Sequence, residues 1–389
     1  MRRLRRVWSD ESGMSLVYVA IGFMTFMAAS TLAIDVGMFM TARNQAQNSA
    51  DAGALSGVTA LVRNSWTDRT ASGPAVQSAI DTAKKNGVMG SAPSVLTTDV
   101  TFPNDPAGNA NRVKVDVFRT TGRTNAIPTL IGSLLGVNTV DIKATATAEA
   151  SPANAMTCVK PFMIPDKWIE NSDNKGKADG PWSPSSTFDL VNKGGDPLAN
   201  PDVYIPATET GYTGYTVAND VGTQLVLRAG TGNQANPSFY YSWKMPGDTG
   251  GDFYRENIAN CNTSVMEMGN KIIQEPGDMS GPTIQGVQSL IDQDPDAIWS
   301  TDCKCVVNSR FGGDTPRVFP IPLFDPGYYA LGQTQGRTAD FKIANFLGFF
   351  VDHVSGNQIY GIVTNIVGVV DKTSTAPANA FPKAIRLVQ

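Results

Sequence analysis

The fold is decided by an uncharged run at residues 14–34, which reads MSLVYVAIGFMTFMAASTLAI. As an α-helix this run would be about 31 Å long, which matches the hydrocarbon core of a bilayer. Four arginines precede it: Arg2, Arg3, Arg5 and Arg6. Because positive charge stays on the cytoplasmic side, they predict a cytoplasmic N-terminus with the bulk of the chain outside the cytoplasm. We therefore expect a basic tail at 1–13 and a single transmembrane helix at 14–34.

Two other interpretations of the run compete with a membrane anchor. A cleaved signal peptide also combines a basic start with an apolar stretch, and Ala28-Ala29-Ser30 imitates a small-residue cleavage site. Signal-peptide apolar regions have only about 7–15 residues, however, and this run is longer. A buried core helix is the other interpretation, but a charge-free run of this length is typical of a membrane span. We favour an uncleaved anchor, with cleavage as the alternative.

The helical pattern continues beyond the run, since no proline occurs before Pro74. Alanines recur every four residues with two glycines beside them, a pattern that lets a second helix approach closely. This small-residue ridge consists of Ala46, Ala50, Gly53, Ala54 and Gly57. Helix propensity would explain the alanines, but each glycine costs a helix roughly 1 kcal/mol relative to alanine. We therefore expect another helix to pack closely on the ridge, supplied either by a partner protein or by the chain's own domain.

Residues 9–60 resemble the N-terminal segment of TadE/TadG-like proteins of the Flp (Tad) pilus-assembly system. The resemblance rests on the start S-D-E-S-G, the step A-I-D-V-G, the segment A-R-N-Q and the ending A-D-A-G-A-L-S-G. It implies an inner-membrane-anchored, pilin-like structural component of a bacterial pilus or secretion machine, whose partners are the other proteins of that machine. The chain is most similar to the TadG-like branch, in which a large extracytoplasmic part follows the anchor.

One position departs from the pattern of processed prepilins. Prepilins and pseudopilins are cut after a glycine and carry a glutamate five residues into the mature chain. Gly13 is present here, but the fifth residue after it is Tyr18. We therefore expect a permanent anchor rather than a substrate of a prepilin peptidase.

Residues 35–150 read as the rest of the long helix followed by a small α+β unit. Apolar positions at helical spacing predict a second helix at 75–87, closed by a glycine. Alternating apolar and polar residues predict strands at 100–102, 112–119 and 139–150, and a short helix is expected at 127–136. A long helix packed on a few antiparallel strands is what the pilin-like resemblance implies.

Residues 151–389 read as a β-rich extracytoplasmic domain, which makes the whole chain α+β. The strongest strand patterns are at 317–321, 341–351 and 359–367, which we expect to be central strands of a mixed sheet, and a helix is expected at 283–292. Aromatic residues are concentrated in this domain, and a binding module or adhesin that uses them is the alternative function. They are Trp168, Trp182, Tyr204, Tyr212, Tyr215, Tyr240, Tyr241 and Trp243. The same rings also suit the core of a β-rich domain.

Four cysteines lie on the side of the membrane that we expect to be oxidising: Cys158, Cys261, Cys303 and Cys305. A bridge between Cys303 and Cys305 would have to span a single lysine. We therefore expect each of them to pair with one of Cys158 and Cys261, in either of two connectivities.

Composition excludes several classes of activity. The chain has one histidine, His353, which removes zinc sites built on several histidines. The net charge of −4 argues against nucleic acid, because phosphate binding needs a concentrated basic face. The segment 277–283 resembles a metal-ion-dependent adhesion motif, but Pro282 replaces its second serine, and a turn that opens a helix explains it better. We expect no catalytic residues, no metal, no cofactor and no small-molecule substrate, and hence a protein that is not an enzyme.

Overall fold

The computed structural model describes residues 12–171, 182–192, 194–230, 234–334, 340–371 and 375–388. Its helices are α1 (Ser12–Arg63), α2 (Pro74–Lys85), α3 (Val217–Asp220), α4 (Gly251–Ala259), α5 (Ser280–Gln293) and α6 (Pro326–Thr334). Its longer strands and short β segments alternate with these helices, and the predicted α+β class is confirmed.

The strands of the first half are β1 (Val100–Thr101), β2 (Arg112–Arg119), β3 (Ile127–Pro128), β4 (Thr139–Val140), β5 (Ile142–Pro152), β6 (Ala155–Met156), β7 (Phe162–Pro165), β8 (Gln224–Ala229) and β9 (Phe239–Ser242). The strands of the second half are β10 (Met266–Glu267), β11 (Lys271–Ile273), β12 (Ile298–Ser300), β13 (Cys305–Val307), β14 (Val318–Phe324), β15 (Asp340–Ser355), β16 (Gln358–Thr364) and β17 (Lys383–Val388).

The first unit packs α1 and α2 on an antiparallel sheet of order β1-β2-β5-β17. Strand β2 alternates between half-buried and buried residues, so that Val113, Val115 and Val117 face the helices. The inward side chains at the start of β5 are mostly alanines, including Ala144 and Ala146. Small side chains on both the helix and the sheet let the two layers approach closely.

The predicted domain boundary between residues 150 and 151 needs one correction at the end of the chain. Strand β17 pairs with β5 from Lys383 opposite Pro152 to Val388 opposite Thr147. The last strand therefore belongs to the sheet of the first unit, and the second unit is inserted between β5 and β17. Sequence pattern alone could not show this, because a single half-buried strand carries no information about which sheet it joins.

The second unit contains a sheet of order β11-β15-β14-β7-β9-β8-β16 that closes on itself. Strand β15 pairs with β14 over residues 343–350 and with β16 over residues 348–355, which closes six of the strands into a ring. Strand β11 lies outside the ring and pairs with β15 alone. The pairings β7–β14 and β8–β9 are parallel and the others are antiparallel, so the predicted mixed sheet is confirmed. Helices α4 and α5 contribute Tyr254, Ile258 and Val287 to the core shared with these strands.

The short helix predicted at 127–136 is wrong in its first half. Residues Ile127–Pro128 form β3 and pair with β4, while a 3-10 turn occupies Gly132–Leu135. The N–H of Thr129 donates to the carbonyl of Asn138 at 3.1 Å, which closes a hairpin where a helix was expected. The backbone pairing across the hairpin outweighs the helical spacing of the apolar residues.

Candidate functional site

The first half of α1 stands free of the folded units. Among the side chains described between residues 14 and 34, Leu16 is 74% exposed, Phe23 is 62% exposed and Met24 is 74% exposed. Within the described residues, one helix is long and apolar enough to cross a membrane by its length and composition, and none of its most apolar window is buried. Apolar surface of this extent is stable only when something other than water covers it. A helix in which every backbone group is paired internally meets the requirement for lipid.

The residues predicted to set the topology lie outside the described part of the chain. Arg2, Arg3, Arg5 and Arg6 precede Ser12, where α1 begins. Tyr18, which replaces the glutamate of processed prepilins, lies within the exposed part of the helix and is 69% exposed.

Asp35 marks the end of the apolar run and joins α1 to a distant loop. Its carboxylate is 5% exposed and accepts hydrogen bonds from the backbone N–H groups of Leu130 at 3.1 Å and Gly132 at 2.7 Å. The N–H of Ile131 lies 3.3 Å from the same carboxylate. Hydrogen bonds to an ionised acceptor are about twice as strong as neutral ones. The sequence analysis quoted Asp35 within the A-I-D-V-G step but assigned it no role; its only sequence signal is an acidic residue directly after an uncharged run.

The small-residue ridge lies in the second half of α1 and is buried within the first unit. Ala46, Ala50 and Ala54 are each 0% exposed. A Cβ atom on Gly53 would lie 3.0 Å from the carbonyl oxygen of Ala79, and one on Gly57 would lie 2.9 Å from Val113. The two glycines are therefore required by the close approach of α1 to α2 and to β2.

Hydroxyl groups reinforce the contact between α1 and α2. The Ser49 hydroxyl donates to the carbonyl of Ala83 at 2.8 Å, where both groups are buried. The Ser56 hydroxyl is shared with Ser78 at 2.7 Å and with Thr82 at 2.8 Å. Paired in this way, the polar groups of the contact carry little desolvation penalty.

The helix that packs on the ridge is therefore α2 of the same chain, which is the second of the two sources left open by the sequence. The sequence left the source open because a small-xxx-small pattern specifies close packing without specifying which helix approaches.

The cysteine pairing also differs from the prediction. Cys158 is bonded to Cys261, and Cys303 is bonded to Cys305, with Cα–Cα distances of 4.4 and 5.2 Å. The second bridge is possible because Lys304 adopts the left-handed region with φ of 50°, which bends the backbone at the tip of the β12–β13 hairpin. Both Cα–Cα distances lie within the usual disulfide range.

The aromatic residues proposed for a binding face belong mainly to the core. Tyr215 and Trp243 are 0% exposed, and Trp168, Tyr240 and Tyr241 are at most 3% exposed. Of the remaining three, Trp182 packs edge-on against Trp168 and Tyr215, with ring centroids 6.2 and 6.1 Å apart. These rings fill the domain interior, so they do not form the stacking face that a carbohydrate would need.

A buried acid, Asp166, is hydrogen-bonded to two of these tyrosines. Asp166 is 0% exposed and accepts hydrogen bonds from the hydroxyls of Tyr212 at 2.8 Å and Tyr204 at 3.1 Å. The backbone N–H groups of Lys167 and Tyr215 donate to its other oxygen at 3.0 Å each. Burial raises the pKa of Asp166 to about 6, because desolvation outweighs the four hydrogen bonds that favour the carboxylate. With every lone-pair direction occupied, this group organises the interior rather than facing a substrate.

A buried lysine lies beside the Cys158–Cys261 bridge. Lys160 is 4% exposed, and its ammonium donates to the carbonyl of Asn260 at 2.7 Å. Burial lowers the pKa of Lys160 to about 7. Its partners are backbone carbonyls that close the loop after α4, which makes its contacts structural.

The two remaining candidates for chemistry, His353 and the segment 277–283, make contacts within the fold. His353 pairs across the strands with Tyr360, and their rings stack with centroids 4.4 Å apart. In the segment 277–283, the Asp278 carboxylate accepts from the N–H of Ser280 at 2.9 Å at the start of α5, as expected for a helix-opening turn. Within the part of the chain that the structure describes, no group of three His, Cys, Asp or Glu side chains could hold a metal ion.

Comparison with known proteins finds one family that resembles the N-terminal helix. Residues 13–60 match the model of the Tad family, described as Flp pilus-assembly TadE/G-like. The match confirms the resemblance drawn from the sequence, and it falls entirely within α1, where it includes the apolar run, Asp35 and the small-residue ridge. No curated protein and no solved structure matches the chain.

Proposed function

We propose that the chain is a membrane-anchored structural component of a bacterial Flp (Tad) pilus or a related secretion system. The observation that carries the proposal is a single helix with two halves of opposite character: apolar and exposed before Asp35, small and buried after it. The proposal is supported by the match of residues 13–60, which lie within this helix, to the Flp pilus-assembly TadE/G-like family model. In the proposal, residues 14–34 cross the inner membrane once, residues 1–13 lie in the cytoplasm, and both folded units lie on the other side.

In this proposal the chain is anchored in the membrane and binds other proteins, and it carries out no catalysis. In support, the carboxyl of Asp166 and the ammonium of Lys160, whose pKa values burial shifts, are both buried and hydrogen-bonded within the second unit. The partners in this proposal are other proteins of the pilus or secretion system, reached through the exposed surfaces of the two extracytoplasmic units. The alternative of an adhesin that uses the aromatic residues loses its main support, because most of these rings are buried.

Topology reporters test the anchoring directly. A reporter that is active only in the periplasm, fused after Gln389, should be active, while a cytoplasm-only reporter at the same position should be silent. The chain should also stay in the membrane pellet after carbonate extraction. The reverse reporter pattern would overturn the orientation, and recovery in the soluble fraction would favour a cleaved leader.

A deletion and rescue experiment tests the pilus role. Deleting the gene in the strain that encodes it should abolish surface Flp pili, and the full chain should restore them. A variant with Phe23→Arg and Phe26→Arg should fail to restore them, because each arginine at the middle of the run costs about 3 kcal/mol of insertion free energy. Pili that persist without the gene would refute the proposal.

A further inference from the structure

The hairpin tip at residues 129–138 exposes apolar side chains that no other part of the described chain covers. Leu130 is 67% exposed and Val137 is 51% exposed, although Leu130 lies two residues after the end of β3 and Val137 two residues before the start of its partner strand β4. The tip is part of a second uncharged stretch, residues 124–140, which lies between Arg123 and Asp141. An exposed apolar loop without any charge is unusual on a surface that faces water.

The position of this hairpin tip is fixed by Asp35. The Asp35 carboxylate holds the N–H groups of Leu130 and Gly132 at 3.1 and 2.7 Å, and Asp35 is the residue that follows the apolar run. The tip therefore lies at the side of α1, level with the point where the proposed membrane span ends. The headgroup region of a bilayer begins at this level and is several ångströms deep.

The rest of the molecule is directed away from this level. Along α1, Gln47 contacts the carbonyl of Thr145, Ser49 contacts Ala83, and Arg63 forms an ion pair with Asp314 of the second unit. From Asp35 to Arg63 the helix rises about 42 Å. The second unit thus contacts the end of α1 that is farthest from the apolar run, while the hairpin tip lies at the near end.

We propose that the hairpin tip inserts Leu130 and Val137 into the interfacial layer of the same bilayer that α1 crosses, as a second membrane contact. The proposal rests on the anchoring proposed above. A lipid surface is the occupant because the tip lies beside the end of the proposed span, carries no charge and is held at the membrane boundary by Asp35. With two contacts, one of them off the helix axis, the membrane would fix the orientation of the first unit relative to the bilayer.

The backbone of the tip suits an environment that offers few hydrogen-bond partners. The Thr129 N–H donates to the carbonyl of Asn138, and the Thr129 hydroxyl donates to the carbonyl of Val137 at 2.5 Å. On the other side of the tip, the N–H groups of residues 130–132 donate to Asp35. Backbone groups that enter a lipid environment must be paired within the protein, and here many of them are.

Three single-cysteine probes on the full chain in phospholipid vesicles test the proposal. An environment-sensitive fluorophore is attached to Val137→Cys, to Val265→Cys and to Ala29→Cys, while the native cysteines remain in their disulfides. Val265 is the matched control, since it is a valine of the second unit with 50% exposure against 51% for Val137. Quenching is measured with lipids that carry a spin label near the headgroup or deep in the acyl chains.

The Val137 probe should emit at shorter wavelength than the Val265 probe and should be quenched by the shallow spin label. The Ala29 probe should be quenched by the deep spin label if α1 spans the bilayer. Quenching at Ala29 with none at Val137 would overturn the second contact alone, and no quenching at Ala29 would overturn the anchoring itself. A blue shift at Val137 without quenching by either lipid would mean that protein, not lipid, covers the tip, and would also refute the proposal.

Discussion

The carboxylate of Asp35 accepts a 2.7 Å hydrogen bond from the backbone N–H of Gly132, which lies 97 residues further along the chain. This contact joins α1, at the point where its exposed apolar run ends, to a loop of the first folded unit. The first charged residue after the uncharged run thereby fixes the position of α1 relative to the sheet of the first unit. The family match includes Asp35 but ends before Gly132, so the contact reaches beyond the matched segment.

Replacing Asp35 by asparagine should loosen the hairpin tip. An amide has one acceptor oxygen and no charge, so the hydrogen bonds to Leu130, Ile131 and Gly132 weaken, at a cost of about 1–3 kcal/mol. Hydrogen exchange measured by mass spectrometry on the detergent-solubilised chain should become faster at residues 130–132.

Asp51→Asn is the matched control for this change. Asp51 lies on the same helix, and its carboxylate accepts from the Gln47 amide at 2.8 Å within α1. Exchange at residues 130–132 should be unchanged in the control. Equal exchange in wild type and Asp35→Asn would show that the loop is held by its own strands.

The sequence predicted most of the fold where one pattern acts locally. The helix of α1, the strand at 112–119 and the central strands β14 and β15 follow from hydropathy and alternation, because each buries one face or is wholly apolar. The return of β17 to the first sheet could not be predicted in this way, since strand pairing between residues 147–152 and 383–388 depends on the whole intervening unit. For the same reason, the partners of Asp35, which lie 95 to 97 residues further along the chain, could not be predicted.

Local patterns also misled wherever a backbone conformation decided the outcome. The Cys303–Cys305 bridge depends on the left-handed conformation of Lys304, which residue spacing does not show. The ridge of small residues predicted close helix packing, while the identity of the second helix was decided by the short connection that brings α2 back onto α1.

Replacing Gly53 by leucine should destabilise the first unit. The new side chain would collide with the Ala79 carbonyl and with Ala83, each 3.0 Å from the position of its Cβ atom. Overpacking of this kind costs about 1–3 kcal/mol or more, which exceeds the roughly 0.8 kcal/mol that leucine contributes to helix propensity. The midpoint of denaturant unfolding should therefore fall.

Gly37→Leu on the same helix is the matched control, because a Cβ atom there would have no neighbour within 4 Å. Its unfolding midpoint should stay equal or rise. If Gly53→Leu behaved like Gly37→Leu, the contact between α1 and α2 would not exist as described.

Removing the two disulfides should have unequal effects on stability. The Cys158–Cys261 bridge spans 103 residues, and closing such a loop stabilises the folded state by about 4.7 kcal/mol in the chain-entropy model. The Cys303–Cys305 bridge closes a loop in which Lys304 alone separates the two cysteines, and it contributes about 1.6 kcal/mol in the same model. The double variant Cys158→Ser/Cys261→Ser should therefore lose much more stability than Cys303→Ser/Cys305→Ser.

Peptide mapping without reduction checks the pairing itself. A peptide that contains Cys158 should be linked to one that contains Cys261, and cleavage after Lys304 should leave Cys303 and Cys305 joined. Any peptide that links Cys158 to Cys303 or Cys305 would contradict the structure.

Asp166 should stabilise the folded second unit more at mildly acidic pH than at neutral pH. Its folded pKa, about 6, lies above the ordinary value of 3.8, so the folded state binds the proton more tightly. The stability that this provides is fully present below pH 3.8 and is lost as the pH rises through 6. Between pH 4.5 and pH 7 the loss from this one group is about 2 kcal/mol.

The Asp166→Asn variant keeps the acceptor for the two backbone N–H groups and cannot titrate, so the wild-type protein should lose about 2 kcal/mol of stability relative to it over this range. Unfolding free energies of the two proteins, measured in denaturant at several pH values, test the difference. Asp278→Asn serves as the control, because hydrogen bonds from Ser280 lower the pKa of the exposed Asp278 carboxyl below its usual value and hence below the range measured. A difference between wild type and Asp166→Asn that is constant with pH would mean that Asp166 is already ionised in the folded protein at pH 4.5.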